Sequence, residues 1–312
     1  RKDSFPYGVP IRKAAELLGI ANFVFFSPED LSIVKDGPSQ RRRFMDMELC
    51  QLDSFYLYNL NHYNKIINQR NKLLKDMYFN PGLKETLNIW DMQLVSFGSK
   101  IIERRKLFVD QLNEIIYGIH KKLSGDREEI RIVYEPDVEI EEFEKKLKFS
   151  QDKDIRSKMT SVGPHRDDFS FVVGDVDIRK YGSQGQQRTA ALSLKLSEIE
   201  LVKKIARDTP ILLLDDVLSE LDSNRQTYLL DCIININTVT LYRCSFLVYI
   251  CFNTIKGIIH TLFNIFITYS NRYINTLVIS KFKKSGIFII ICCTYGNILY
   301  IPVFVHKYNC YN

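Results

Sequence analysis

Between Tyr181 and Asp222 two groups of residues have the types and spacing that phosphate chemistry needs. The first, Gly182-Ser183-Gln184-Gly185-Gln186-Gln187-Arg188-Thr189, is small and polar. It runs straight into Leu192, Leu196, Ile199, Val202 and Ala206, a spacing that predicts a helix with one apolar face. Free amides and the positive end of the helix dipole point out of such a turn, beside a hydroxyl and amide side chains, which makes an anion site. The second group, Ile211-Leu212-Leu213-Leu214-Asp215-Asp216, is four aliphatic residues ending in two acids, with Pro210 in front. It predicts a fully buried parallel strand whose carboxylates lie at the carboxyl edge of a sheet, where α/β proteins bind ligands. Each group alone has a plainer reading: an ordinary polar helix cap, and acids that cap the next turn. Their closeness, about one helix apart, favours the chemical reading.

The elements that must position these groups can be followed along the chain. Residues 1–38 lead into and past one strand, Phe23-Val24-Phe25-Phe26, broken by Ser27-Pro28 and closed by Gly37-Pro38. From Ser39 the pattern is helical. Leu49, Leu52, Tyr56, Leu60, Tyr63, Ile67 and Leu74 mark one face up to Met77, and Asn80-Pro81-Gly82 breaks it. Ile101, Phe108, Leu112, Ile115 and Ile119 mark a second face ending before Ser124-Gly125. Two long amphipathic helices with a short break predict an antiparallel αα-hairpin over 39–125. From 126 to 238 the texture is α/β: a strand at Ile130–Tyr134, a charged helix near Ile140–Phe149, a strand at Phe169–Val173, then the two groups above.

Charge and cysteine divide the chain. The formal net charge of +6 comes from the end: the last acid is Asp231 and seven bases follow it, so residues 1–231 carry 36 bases against 37 acids. A nucleic-acid surface on this body must therefore come from local patches rather than overall charge. Only Cys50 lies in the body, no Cys/His cluster has zinc spacing and no signal peptide precedes the first strand, which fits a reducing cytoplasm. Residues 239–312 contain no acid and are rich in Ile, Tyr, Phe, Asn, Cys and Thr, unlike a soluble surface. Gly286–Val305 is long enough to span a membrane but contains Gly296, Asn297 and Pro302. The expectation is a non-native, out-of-frame tail, which would also remove the sheet strand due after the helix at Ser223–Ile234; a membrane segment is the minority reading. The start at Arg1 rather than Met suggests a fragment.

The Ser-x-Gly-Gln turn, the aliphatic strand ending in Asp215-Asp216, and Ser219-Glu220-Leu221-Asp222 resemble the signature, Walker B and D-loop motifs of ABC-type ATPases. Their wording, with Phe25-Phe26-Ser27-Pro28-Glu29-Asp30-Leu31, Arg41-Arg42-Arg43-Phe44 and Gly163-Pro164-His165-Arg166-Asp167-Asp168, is similar to the RecF family over roughly residues 5–240. The resemblance implies an α/β fold: an ABC-ATPase-like head with an inserted helical-hairpin lobe, truncated at its N-terminus. It implies ATP and Mg2+ as cofactors. Asp215 would hold the metal, a hard cation bridging phosphate oxygens. Asp216 would be the general base or water-orienting catalytic group, with a shorter reach than the glutamate common in this superfamily, so slow turnover is expected. Ser183, Gly185 and Gln186 would contact the γ-phosphate of a nucleotide held by a second subunit, and Asp222 would lie at the seam between subunits or simply cap the next helix.

The implied partners are single- and double-stranded DNA, a second copy of the protein on ATP, and recombination mediator proteins, with no membrane. The implied role is clamping DNA at single-strand gaps and junctions and helping to load the recombinase, in replication restart and the SOS response. Candidate DNA contacts are Arg41, Arg42 and Arg43, whose charge opposes a helix N-terminus unless a phosphate joins them, and His165 and Arg166. Solvated bases and an internal Arg-to-Asp pairing explain the same residues equally well. Tyr56, Tyr58 and Tyr63 read as hairpin packing rather than a base-stacking platform. No Gly-x-x-x-x-Gly-Lys-Ser/Thr loop is present, so this chain by itself should not hydrolyse ATP. Competing readings are an ABC transporter ATPase subunit, a chromosome-maintenance head, which should show long coiled-coil heptads, and an inert gene remnant.

Overall fold

A computed structural model describes residues 22–77, 79–215, 217, 221–236, 240–243, 274–281, 287–294 and 297–304. The chain divides into two units, one built on residues 29–207 and the other on 23–28 together with the segment from 208 onward. β1 (Phe23–Phe26) belongs to the second unit. The first unit opens with α1 (Leu31–Lys35) and α2 (Pro38–Leu52), the latter started by Pro38 in the first-turn slot behind Gly37.

The helical pattern predicted without a break from Ser39 to Met77 is interrupted at Asp53. This residue is extended (φ −142°, ψ 105°) and caps α3 (Ser54–Asp76), its carboxylate accepting from the Phe55 N–H at 2.9 Å and the Tyr56 N–H at 3.2 Å. Apolar spacing is blind to such a break because the apolar stripe resumes on its far side. α4 (Leu87–Leu123) then returns along α3. Arg104 meets Asp53, Arg105 meets Tyr56 and Asp91 meets Arg70, so residue numbers rise on one helix as they fall on the other. The αα-hairpin is therefore antiparallel, as predicted. Tyr56, Tyr63 and Ile66 on α3 share a core with Leu94, Ile101, Phe108 and Leu112 on α4.

β2 (Ile130–Glu135), α5 (Phe143–Phe149), α6 (Gln151–Ser157), β3 (Asp168–Val173), β4 (Val176–Asp177) and α7 (Ile178–Tyr181) follow. β2, β3 and β4 form an antiparallel sheet of their own, with β2 and β3 in register from Ile130↔Val173 to Glu135↔Asp168. Gly163, in the turn before β3, has φ +132°, and an added Cβ would lie 2.5 Å from the Tyr63 hydroxyl and 3.1 Å from the Phe143 ring. Gly163→Ala therefore combines backbone strain with overpacking and is expected to cost about 2–4 kcal/mol, read as a lower urea midpoint at unchanged m-value.

α8 (Gln184–Ala206) departs from expectation in its burial. One apolar face was predicted, yet every residue from Thr189 to Ile199 is buried, Ser193, Lys195, Ser197 and Glu198 included. The reason is coverage from several sides, by α4 along its length and by α1 and α2. Helical periodicity reveals a half-exposed helix well and a fully enclosed one poorly.

In the second unit β5 (Ile211–Asp215) lies between β1 and β6 (Thr240–Arg243) and is parallel to both, with α9 (Ser223–Ile236) connecting β5 to β6. Leu212 and Leu214 are buried while Ile211, Leu213 and Asp215 are only half-buried, so the strand is enclosed on one face rather than both. The strand expected to be missing after α9 is present as β6. β7 (Ile274–Lys281), β8 (Ile287–Thr294) and β9 (Asn297–Phe304) extend the sheet antiparallel from it. Within the apolar run, residues 287–294 and 297–304 thus fall on two paired strands. Among the described residues no helix is long and apolar enough to cross a membrane.

Candidate functional site

Ser183 ends the α7–α8 turn in an extended conformation (φ −63°, ψ 158°) and caps α8 reciprocally with Gln186. Its hydroxyl accepts from the Gln186 N–H at 3.2 Å, and the Gln186 side-chain carbonyl accepts from the Ser183 N–H at 2.9 Å. Ser183, Gln184 and Gly185 are exposed, and a Cβ added at Gly185 would meet nothing closer than the Ser183 hydroxyl at 3.8 Å. Gln187 is turned inward and donates to the Ile178 carbonyl at 3.0 Å, pinning the turn to α7. The loop therefore presents an open helix N-terminus with room for backbone approach, which fits a phosphate.

Asp215 ends β5 at its carboxyl edge, paired across the sheet with Arg243, and is half-buried. Asp216 lies outside the described residues. Among the described residues no three His, Cys, Asp or Glu side chains are grouped to hold a metal. Asp222 caps α9, accepting from the Asn224 and Arg225 N–H groups at 3.1 Å each and pairing with the Arg225 guanidinium. The Arg225 amide and guanidinium hold its carboxyl below the ordinary carboxylate range.

The basic candidates divide. The two motifs that carry them clasp each other: Arg41 is buried and makes a two-pronged contact with Asp168, at 2.6 and 3.0 Å, while donating to the Asp36 carbonyl at 2.6 Å. Arg42 is half-buried and donates to the Asp167 carbonyl at 2.8 Å. His165 is turned inward: Nε2 donates to the Thr160 carbonyl at 3.1 Å, which leaves Nδ1 to accept from the Tyr63 hydroxyl at 2.7 Å. Burial pushes its proton affinity down, so it is a neutral hydrogen-bonding group. Arg41 and His165 are thus committed to the interior and are corrected as DNA contacts. The charge that opposed the start of α2 is answered by Asp168 rather than by an external phosphate. Arg43 and Arg166 remain exposed.

Sequence reasoning missed the buried polar groups behind these motifs. Arg105, 2% exposed, donates to the Pro164 carbonyl (2.6 Å), Asp167 (2.9 Å), Asp46 (2.8 Å) and the Tyr56 hydroxyl (3.0 Å). Asp167, fully buried, also accepts from the Tyr134 hydroxyl at 2.5 Å and the Asp137 N–H at 3.0 Å. Arg70 joins Asp91 and Asp154 at 2.6 and 2.7 Å. A signal existed: Arg70 and Arg105 fall inside the apolar stripes Tyr63, Ile66, Leu74 and Ile101, Phe108, Leu112, where a charge must find buried partners.

No family model matches the chain. It is 62% identical over 234 residues to the DNA replication and repair protein RecF of Lachnospira eligens, covering 74% of this chain and 64% of that one. It is equally 62% identical over 232 residues to the protein so named in Lachnoclostridium phytofermentans. The chain thus spans less than two thirds of the length of the curated relatives it matches. Among solved structures it is similar to the recombination mediator protein RecF in the RecFOR pathway, solved as RecF-ATP and RecF-ATPrS. Each has TM-score 0.70 and 35% identity, covering 77% of this chain and 66% of the other. High identity on a shared fold, with the signature turn, the Asp-ended strand and the clasped Arg and Gly-Pro-His-Arg-Asp-Asp motifs in one order, places the matched part of this chain in the RecF family.

Proposed function

We propose that the intact protein carrying this chain is an ATP-dependent DNA-binding protein of recombinational repair and replication restart. It closes into a homodimer around ATP and Mg2+ and holds DNA at single-strand gaps and junctions. The observation that carries this reading is the exposed signature loop: Ser183 and Gly185 are solvent-exposed at the start of a 23-residue helix whose body is locked in the core. A rigid helix with an accessible N-terminus suits capture of a phosphate presented by another molecule. The similar structures solved with ATP support the same assignment.

On this reading Ser183, Gly185 and Gln186 receive the γ-phosphate of the partner's nucleotide, and Asp222 lies at the seam. Asp215 would hold the metal and Asp216 would orient the attacking water. Magnesium nucleotide, when bound, would supply charge shared by the two heads, and its hydrolysis would release the clamp. Exposed Arg43 and Arg166 are the candidate DNA contacts that remain, together with half-buried Arg42. Recombination mediators as partners, help in loading the recombinase, and a cytoplasmic location complete the reading.

Ser183→Arg in the full-length protein tests it. A guanidinium in place of the hydroxyl fills the open loop, so ATP-dependent dimerisation, measured by sedimentation, and ATP-dependent retention on gapped DNA should both be lost. Only a helix cap is sacrificed, so folding stability should fall by no more than about 2 kcal/mol. Unchanged dimerisation would overturn the assignment of this loop.

A further inference from the structure

The Gln186 side chain has two ends, and both are engaged. Its carbonyl takes the Ser183 N–H at 2.9 Å, and its amide nitrogen donates to Glu128 Oε1, also at 2.9 Å. Glu128 lies just beyond the end of α4, where its N–H donates to the Ser124 hydroxyl at 3.2 Å. Its second carboxylate oxygen faces His120 Nε2 at 3.4 Å. His120 is fully buried, with Nδ1 2.9 Å from the Ser193 hydroxyl. Ser193 gives its one proton to the Thr189 carbonyl at 2.7 Å, so His120 Nδ1 must be the donor in that contact. Glu128 thus ties the end of α4 to the first turn of α8.

We propose that Glu128 is a positioning residue that keeps the signature loop in its nucleotide-free form. It orients the Gln186 amide so that the amide carbonyl occupies the Ser183 N–H, the donor an incoming phosphate oxygen would take. Two effects of Glu128 act in the same direction. Its charge-assisted hydrogen bond fixes Gln186 against Ser183, so phosphate capture must first break that contact. Its carboxylate also places negative charge beside an anion site, which opposes a second anion. Glu128 is a quarter exposed, so its charge is only partly screened.

The inference rests on the signature loop receiving phosphate, and the test separates the two claims. In nucleotide-free full-length protein, amide hydrogen exchange over residues 183–186 should quicken about tenfold in Glu128→Ala, because Gln186 then loses its anchor. In the presence of ATP, the concentration giving half-maximal dimerisation should fall about fivefold to tenfold in Glu128→Ala. It should fall by less in Glu128→Gln, which keeps an acceptor without the charge. In a Gln186→Ala background the Glu128→Ala shift should shrink to less than about twofold. Unchanged exchange, a raised ATP midpoint, or an equal shift in both backgrounds would overturn the role of Glu128. Wild-type protein that fails to dimerise with ATP would instead overturn the reading of the loop, and the exchange rates would still decide whether Glu128 holds it.

Discussion

Arg105→Ala is expected to lower the free energy of unfolding by about 3–5 kcal/mol. The guanidinium is almost wholly buried and bonds to two carboxylates, a phenol and a backbone carbonyl. Burial by itself would make the buried cation costly, but Tyr56, Asp46 and Asp167 outweigh that and raise its hold on the proton well above the ordinary arginine value. Alanine would leave the fully buried Asp167 with the Tyr134 hydroxyl and the Asp137 N–H as partners and without its paired guanidinium. It would also open a cavity between α3, α4 and the Gly163 turn. Urea unfolding measures the loss directly. Removing the charge together with its partner, as in Arg105→Met with Asp167→Asn, should recover part of it, because an unpaired buried charge is worse than none. A single-variant loss below about 1 kcal/mol would mean that this network does not hold the lobe to the turn.

Lys195→Met is expected to cost about 3–5 kcal/mol near pH 8, and unlike Arg105→Ala its cost should depend strongly on pH. Lys195 pairs with Glu198 at 2.5 Å deep in α8, and Glu48 of α2 lies in the same pocket and accepts from Gln51 at 2.6 Å. Burial raises both glutamates above their ordinary values, and for Glu198 the neighbouring Glu48 raises it further. Burial would lower Lys195, but Glu198 and Glu48 outweigh it and hold the ammonium protonated. A carboxyl whose folded value lies above the unfolded one favours folding while protonated and loses that advantage as pH rises through the folded value. Methionine withdraws the only ammonium paired with these acids among the described residues. The deficit should therefore be smallest near pH 5 and widen by up to about 1.4 kcal/mol per pH unit for each proton released. Thermal unfolding of the variant and the parent from pH 5 to 8 follows this, and a deficit constant across that range would show that the pocket is not ionised as described.

Much of the candidate site was legible in the residue order, because its chemistry is local. Ser183, Gly185 and Gln186 sit in consecutive positions before an apolar helix, and Asp215 sits directly after four aliphatic residues, so spacing alone placed them at a helix start and a strand end. The hairpin of α3 and α4 was legible for the same reason, since a stripe of apolar residues is a one-dimensional pattern. The break at Asp53 was not, because one capping side chain made it without interrupting that stripe.

The sequence by itself determined the order and type of most elements and placed Ser183 and Gly185 at a helix start. Tertiary structure decided which charges face water and which are spent inside. Arg41, Arg43, His165 and Arg166 are alike as letters, yet Arg41 and His165 are consumed by Asp168, Tyr63 and Thr160 while Arg43 and Arg166 stay exposed. Only the fold brings residue 41 to residue 168, residue 105 to residue 167, and residue 128 to residue 186. A buried charge is stable only where such distant partners converge. Convergence across 58 to 127 residues is a property of the packed chain, and local spacing does not name the partners.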